Sequence, residues 1–184
     1  MLFDIVLYLA GTTAALRLPF VVDLRYKGFS IAMYVRKLEI IKVRTKYHGL
    51  LTIINHGISL CLLVTRSGHF VITVKQKLHI YNYESSAQMK SLEYWNELIV
   101  IGPKGIMEGM KNMKHPFRVY LNGEECGYRF EKGSRKMITR VLQLMWLGGR
   151  YMLKPHIIWI ANAMITSSNL RDMDIKKQTG MLEG

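Results

Sequence analysis

Short apolar runs separated by turn residues constrain the fold more than any other feature. Between Tyr47 and Tyr83 four β-rich runs follow one another at short intervals: Leu50–Ile54, Ser59–Thr65, Phe70–Val74 and Leu78–Tyr81. One separator, Arg66-Ser67-Gly68, is typical of a hairpin, because glycine readily adopts the positive φ of a tight turn. The pattern predicts an antiparallel meander.

Helices are also expected, beginning with the segment Phe29–Thr45. In a helix its apolar residues share one face at i, i+3, i+4 and i+7 spacing, whereas from Leu38 onward the residues also alternate as in a strand. We interpret the segment as a helix that passes into a strand. Further caps are expected at Ser85-Ser86 and Ser167–Asn169, and Ser134 is expected either to cap a helix or to open a strand.

These elements predict an α+β fold with two small lobes, each an antiparallel or mixed sheet packed with one or two helices. The polar stretch Glu84–Trp95 is the best candidate for a boundary. We therefore expect a divergent N-terminal lobe over residues 1–90. A basic C-terminal α/β lobe is expected over residues 91–184.

The second half joins short strands through basic, glycine-containing connections. Strands are expected at Leu98–Ile101, Phe117–Leu121 and Tyr128–Phe130, with turns at Gly102–Gly105 and Asn122-Gly123. Residues 104–154 contain 11 Lys and Arg against four Glu. The predicted RNA-binding residues are Lys104, Lys111, Lys114, Arg118, Arg129, Lys132, Arg135, Lys136, Arg140, Arg150 and Lys154.

The overall charge indicates a polyanionic partner. The 184 residues include 26 Lys and Arg against 13 Asp and Glu, a formal net charge of +13. A nucleic-acid backbone is the commonest partner of such a domain, and an anionic membrane surface is the second.

Residues for catalysis, metal binding or cofactor binding do not form a recognisable set. Cys61 and Cys126 lack a second cysteine or a histidine at metal-ligand spacing, and the six histidines are scattered. Paired carboxylates and a nucleophile elbow are also missing. We therefore expect no enzyme activity, no small-molecule substrate, no cofactor and no metal.

Three apolar segments raise the alternative of a membrane-associated accessory subunit of an organellar complex. Ile5–Leu16, Leu50–Val64 and Ile157–Ile165 are shorter than the roughly 20 residues that a spanning helix needs. Membrane contact is therefore the less favoured expectation. The N-terminus also lacks a transit-peptide composition, which fits a protein made inside its organelle.

Several motifs resemble the sixth protein of the large ribosomal subunit, in its bacterial and organellar versions. Ile99–Gly105 is similar to the strand and Gly-Pro-x-Gly turn of that family's first domain. Phe117–Leu121 with Glu125–Arg129 resembles the opening of its second domain, although Glu125 replaces a glycine, and Leu142–Gly148 resembles a later strand with one extra residue. The resemblance implies a structural role in a mitochondrial ribosome of the matrix, where the chain would bind ribosomal RNA and contact neighbouring ribosomal proteins.

Overall fold

Two antiparallel sheets form the part of the chain that the structure describes. This computed structural model describes residues 7–11, 15–17, 22–25, 28–37, 47–76, 79–89, 94–106, 109, 116–134, 144–148 and 156–166. The six-stranded sheet contains, in spatial order, β1 (Leu7–Gly11), β13 (His156–Thr166), β3 (Phe29–Lys37), β8 (Asn96–Gly102), β9 (Arg118–Leu121) and β10 (Glu124–Cys126). The seven-stranded sheet contains β11 (Tyr128–Ser134), β7 (His79–Gln88), β6 (His69–Gln76), β5 (Ile58–Thr65), β4 (Tyr47–Asn55), β12 (Leu144–Gly148) and β2 (Ala15–Arg17).

The meander predicted between Tyr47 and Tyr83 is confirmed as β4 to β7. Each of these strands pairs antiparallel with the next. Gly68 in the predicted Arg66-Ser67-Gly68 turn has a φ of 91°. Alternation explains the burial, since Ile58, Leu60, Leu62 and Val64 of β5 all lie in the core.

The core lies between the two sheets and is closed at one side by aromatic rings. Phe117, which precedes β9, lies 5.1 Å from Tyr83 of β7 and 6.4 Å from Phe29 of β3, measured between ring centroids. The hydroxyl of Tyr128 on β11 accepts a hydrogen bond from Phe117 N (3.1 Å) and donates one to Phe117 O (2.9 Å). Tyr128 thereby ties one sheet to the other.

The predicted α+β class is wrong, because the described residues are almost entirely strands. Among those residues Ile106 and Gly109 are helical. The expected helix at Phe29–Thr45 is strand β3 where it is described, and Ser85-Ser86 lies within β7. The expected C-terminal helix near Ser167–Asn169 lies outside the described residues.

Burial along β3 explains why the helical interpretation failed. Ile31, Met33 and Val35 alternate into the core, whereas Tyr34, which a helix would place beside Val35, points to the opposite face. Alternation of side chains between two faces is the mark of a strand, and Ala32 on the opposite face of β3 belongs to a second buried cluster. The core-facing residues are β-branched or long and apolar, which suits a pleated surface.

Both sheets combine strands from the two halves of the chain. β3 of the first half pairs with β8 of the second, and β7 pairs with β11. The expected division between residues 90 and 91 therefore falls between strands of one two-sheet sandwich. The predicted strands at Leu98–Ile101, Phe117–Leu121 and Tyr128–Phe130 are confirmed within β8, β9 and β11.

Candidate functional site

The outer face of the six-stranded sheet carries polar and aromatic side chains at one end of β3 and β8, beside a buried apolar cluster of Ala32, Ile99, Ile101 and Tyr120 on the same face. Met33 and Val35 of β3 point into the core, so Tyr34 and Arg36 occupy the opposite face. Glu97 of β8 lies directly opposite Tyr34 in the register. Its neighbours Asn96 and Leu98 are fully buried on the other side.

Glu97 is an ionisable group held in a largely dry environment. Its side chain is 8% exposed and accepts a hydrogen bond of 3.1 Å from the Tyr34 hydroxyl to Oε1. Burial raises the pKa of the Glu97 carboxyl, and the Tyr34 hydrogen bond partly offsets that rise. Burial, followed by the charge of Glu97, raises the pKa of Tyr34 to about 12, so the phenol remains a donor at neutral pH.

The turn between β9 and β10 contacts the start of β8 through hydrogen bonds of Asn122. Asn122 and Gly123 have φ values of 52° and 81°, the conformation of a type I′ hairpin turn. Asn122 Oδ1 accepts a hydrogen bond from Glu97 N (3.0 Å), and Asn122 Nδ2 donates to Asn96 Oδ1 (3.1 Å). These contacts hold the backbone on which Glu97 is mounted.

Two exposed aromatic residues, Tyr94 and Trp95, immediately precede β8. Trp95 is 39% exposed and Tyr94 is 71% exposed, although large apolar side chains are usually buried. The side chain of Asn96 donates a hydrogen bond of 3.0 Å to Tyr94 O, which fixes the chain at this point. An exposed tryptophan on an anchored backbone offers a ready contact surface for a ligand.

Arg36 lies on the same face of β3 as Tyr34, two residues further along the strand. It is partly buried, its Nε lies out of solvent and no hydrogen-bond partner reaches that atom. Because Tyr34 faces Glu97, Arg36 is the diagonal neighbour of Glu97, about 7–8 Å away in a regular sheet. On its other side, the register places Trp159 of β13 opposite Arg36.

We call Tyr34, Arg36, Trp95 and Glu97 the outer-face cluster. It combines a hydroxyl, a buried carboxylate, a guanidinium and an exposed indole. The carboxylate accepts hydrogen bonds, the guanidinium donates them and the indole packs against apolar atoms. Such a set can recognise a ligand that alternates hydroxyl groups with C–H faces.

The structure describes the side chains of three of the eleven predicted RNA-binding residues, and it does not bring these three together. Lys104 is exposed in the turn after β8, Arg118 lies on β9 and Arg129 lies on β11 in the other sheet. For Lys132 only the backbone is described, in β11 opposite Tyr81. The remaining predicted residues, which lie outside the described residues, are Lys111, Lys114, Arg135, Lys136, Arg140, Arg150 and Lys154.

Two of these three described cations already contact carboxylates. Arg118 Nε lies 3.1 Å from Glu125 Oε1, and its guanidinium carbon lies 5.3 Å from the centre of the Tyr120 ring. Arg129 Nη2 lies 3.5 Å from Glu131 Oε1, with both side chains well exposed. Exposed pairs of this kind contribute little to stability, so a phosphate can compete for either arginine.

Sequence reasoning missed the outer-face cluster. Tyr34 was assigned to a helical face, and Glu97, Arg36 and Trp95 match no catalytic or binding motif. The available signal was alternation in β3, where Tyr34 and Arg36 alternate with Met33 and Val35. Neither segment alone indicates that β3 pairs with β8 or in which register the two strands pair.

Two other kinds of feature, a metal site and a membrane-spanning helix, are absent from the described residues. The described residues contain no group of three or more His, Cys, Asp or Glu side chains placed to hold a metal ion. Within the same described part of the chain, no helix is long and apolar enough to cross a membrane.

Comparison with known proteins places the chain by fold alone. No family model and no curated protein matches the sequence. Among solved structures, the binding domain of botulinum neurotoxin DC in complex with rat synaptotagmin II is similar, with a TM-score of 0.57 and 15% identity over 85% of this chain. The Ruminococcus gnavus IT-sialidase CBM40 bound to α2,3-sialyllactose gives a TM-score of 0.56 and 13% identity.

Coverage differs between these structures. The match spans 85% of both this chain and the CBM40, whereas it spans 36% of the neurotoxin binding domain. A third similar structure is Trypanosoma rangeli sialidase, with a TM-score of 0.52, 13% identity and coverage of 83% of this chain and 22% of that chain. At these identities the likeness shows a shared β-sandwich fold.

Proposed function

We propose that this chain is a glycan-binding module that holds a saccharide on the outer-face cluster. The observation that carries the proposal is an exposed tryptophan, Trp95, two residues before a buried carboxylate that accepts a tyrosine hydroxyl. A sugar ring presents a C–H face that packs on an aromatic ring and hydroxyls that pair with fixed acceptors and donors. The anchored backbone around Asn122 preorganises these groups and so lowers the entropic cost of binding.

The similar structures support this choice of ligand class. The CBM40 was solved with α2,3-sialyllactose, and another similar structure is described as botulinum neurotoxin type C, whose cell entry depends on two ganglioside molecules. The CBM40 matches over 85% of its own length, so most of that domain corresponds to this chain in fold. A module that binds and has no chemistry of its own also agrees with the absence of a catalytic motif in the sequence.

A glycan array followed by titration calorimetry tests the proposal. We expect the purified chain to bind a defined set of glycans, and we expect Trp95→Ala to weaken binding at least about tenfold, since tenfold corresponds to about 1.4 kcal/mol. Phe130→Ala is the matched control, because Phe130 is also aromatic and 42% exposed but lies on β11 of the other sheet. Binding that is equally strong in Trp95→Ala and the wild type would rule out this site.

Ribosomal RNA binding is the second candidate, and the net charge of +13 favours it. The proposed contacts are the predicted basic residues, of which exposed Lys104 is the clearest described example. Fluorescence anisotropy with structured RNA between 50 and 500 mM salt provides the test. A steep linear fall of log K with log salt concentration is expected if phosphates are neutralised, whereas a flat dependence contradicts the proposal.

A further inference from the structure

We infer that the saccharide held by the outer-face cluster carries a carboxylate, and that Arg36 binds this group. The inference rests on the proposed glycan-binding function and names the ligand class. Its starting point is the buried Nε of Arg36, which has no hydrogen-bond partner. An arginine is charged at every physiological pH, and a buried donor without an acceptor carries a desolvation cost.

Arg36 differs from other arginines of the described chain in its surroundings. Arg25, Arg118 and Arg129 each have a carboxylate within ion-pair distance, at 3.3, 3.1 and 3.5 Å. All three pairs are formed by residues close together in the sequence. Arg36 has no comparable ion pair among the described residues, even though it is more deeply placed than Arg129.

Glu97, the other charged residue of the cluster, already accepts a hydrogen bond from Tyr34 and does not pair with Arg36 in the described structure. This is so although Glu97 is the diagonal neighbour of Arg36. Burial also raises the pKa of the Glu97 carboxyl, so that a negative charge at this position is disfavoured. The guanidinium is thus left with a positive charge that a ligand can neutralise.

A carboxylate fits the geometry of the free donor better than a neutral hydroxyl does. A guanidinium is planar and presents pairs of parallel N–H donors that match the two oxygens of a carboxylate. Such charge-assisted pairs are roughly twice as strong as neutral hydrogen bonds. Trp95 provides the apolar contact for the ring that bears the carboxylate, so the ligand is a sugar acid rather than a free inorganic anion.

The net charge of the chain acts in the same direction. With +13 at neutral pH the protein attracts anionic ligands from a distance, and this attraction raises the association rate. Long-range attraction does not depend on one residue, however. Comparing the ligand affinities of single arginine variants therefore distinguishes a specific role of Arg36 from a general effect of charge.

The test uses the full chain and two carboxylated probes, α2,3-sialyllactose and a hyaluronan tetrasaccharide, each beside its methyl ester, with lactose as a neutral reference. The ester keeps the shape of the sugar and removes the charge. Calorimetry is expected to show at least one acid bound about tenfold or more tightly than its ester by the wild-type protein.

Arginine variants then assign the effect. Arg36→Gln is expected to bring the ratio of acid affinity to ester affinity down to about one. Arg36→Lys, which keeps the charge but loses the planar fork, is expected to give an intermediate affinity. Arg129→Gln is the matched control and is expected to bind both ligands as the wild type does, because Arg129 lies on the other sheet.

The outcomes separate the two proposals. Equal affinity for acid and ester in the wild type overturns the carboxylate inference and leaves glycan binding in place. An equal loss in Arg36→Gln and Arg129→Gln also overturns it, because the effect is then general charge. Failure to bind any glycan on the array or any of these probes overturns the proposed function itself.

Discussion

Single residues determine the outer-face cluster through contacts that are distant in the sequence. Glu97 is positioned by Tyr34 across the sheet and by Asn122 across the next hairpin. Gly102, at the end of β8, shows the same dependence, because a Cβ there would collide with the Phe29 ring. The sequence predicted a turn after Gly102 but not the need for glycine, since Phe29 lies in a different strand.

Glu97→Gln is expected to raise the stability of the protein at neutral pH. Burial raises the pKa of Glu97 in the folded state above its unfolded value of 4.5. The folded state therefore keeps the proton more tightly, and stability falls as the pH rises from about 4.5 through the folded pKa. Glutamine keeps an acceptor for Tyr34 and removes this loss.

Thermal melts between pH 4 and pH 8 measure the effect. The variant is expected to melt with the wild type below pH 4.5 and a few degrees above it at pH 7, where about 1 kcal/mol corresponds to roughly 2–4 °C for a domain of this size. Glu131→Gln is the control, because Glu131 is well exposed. A variant that is less stable than the wild type at pH 7 contradicts the assigned desolvation of Glu97.

At the scale of elements, prediction succeeded where both turns and strands carried local signals. The meander β4 to β7 was predicted because each run is short and is followed by a polar or glycine-containing separator. β3 was mistaken for a helix, because its apolar residues fit a helical period as well as alternation. Pairing with β8 and β13 decides in favour of the strand, and those partners lie far away in the sequence.

The link between sheets through Tyr128 is the element-scale contact that is most open to a direct test. Tyr128→Phe removes the hydroxyl that pairs with both backbone groups of Phe117 and leaves the ring that packs 5.4 Å from Tyr83. We expect the free energy of unfolding to fall by about 1–3 kcal/mol, the cost of unsatisfied polar groups in a partly buried place.

Urea unfolding of Tyr128→Phe and wild type gives this value directly. Tyr94→Phe serves as the control, since Tyr94 is 71% exposed and its loss of a hydroxyl is expected to change stability by less than about 0.5 kcal/mol. Equal effects of the two substitutions would show that the Tyr128 hydroxyl does not hold the sheets together.

At the scale of the whole molecule, the assembly of two sheets was beyond the reach of sequence patterns. Local reasoning gives strands, but the order β1-β13-β3-β8-β9-β10 joins the two ends of the chain to its centre. The outer-face cluster exists because β3 and β8 are neighbours in that order. The basic character of the second half is a property of its composition, and its use as an RNA-binding surface stays a prediction.

The topology predicts that the two halves of the chain depend on each other for folding. A fragment of residues 1–90 contains β3 and β7 without their partners β8 and β11, and residues 91–184 contain the reverse. Each fragment alone would expose unpaired strand edges and half of the core to water. We expect neither fragment to give a dispersed amide spectrum by NMR, and we expect the mixed fragments to recover one.

The full chain provides the complementary measurement. Its denaturant unfolding is expected to be a single transition, with far-UV circular dichroism and tryptophan fluorescence changing at the same midpoint. The agreement is informative because the three tryptophans lie at particular places, Trp95 before β8, Trp146 in β12 and Trp159 in β13, whereas circular dichroism reports on the strands of both sheets. A cooperative melt of residues 91–184 alone would instead support an independently folded C-terminal lobe. Such a lobe would contain Trp95 and Glu97 of the outer-face cluster but would lack strand β3, which supplies Tyr34 and Arg36.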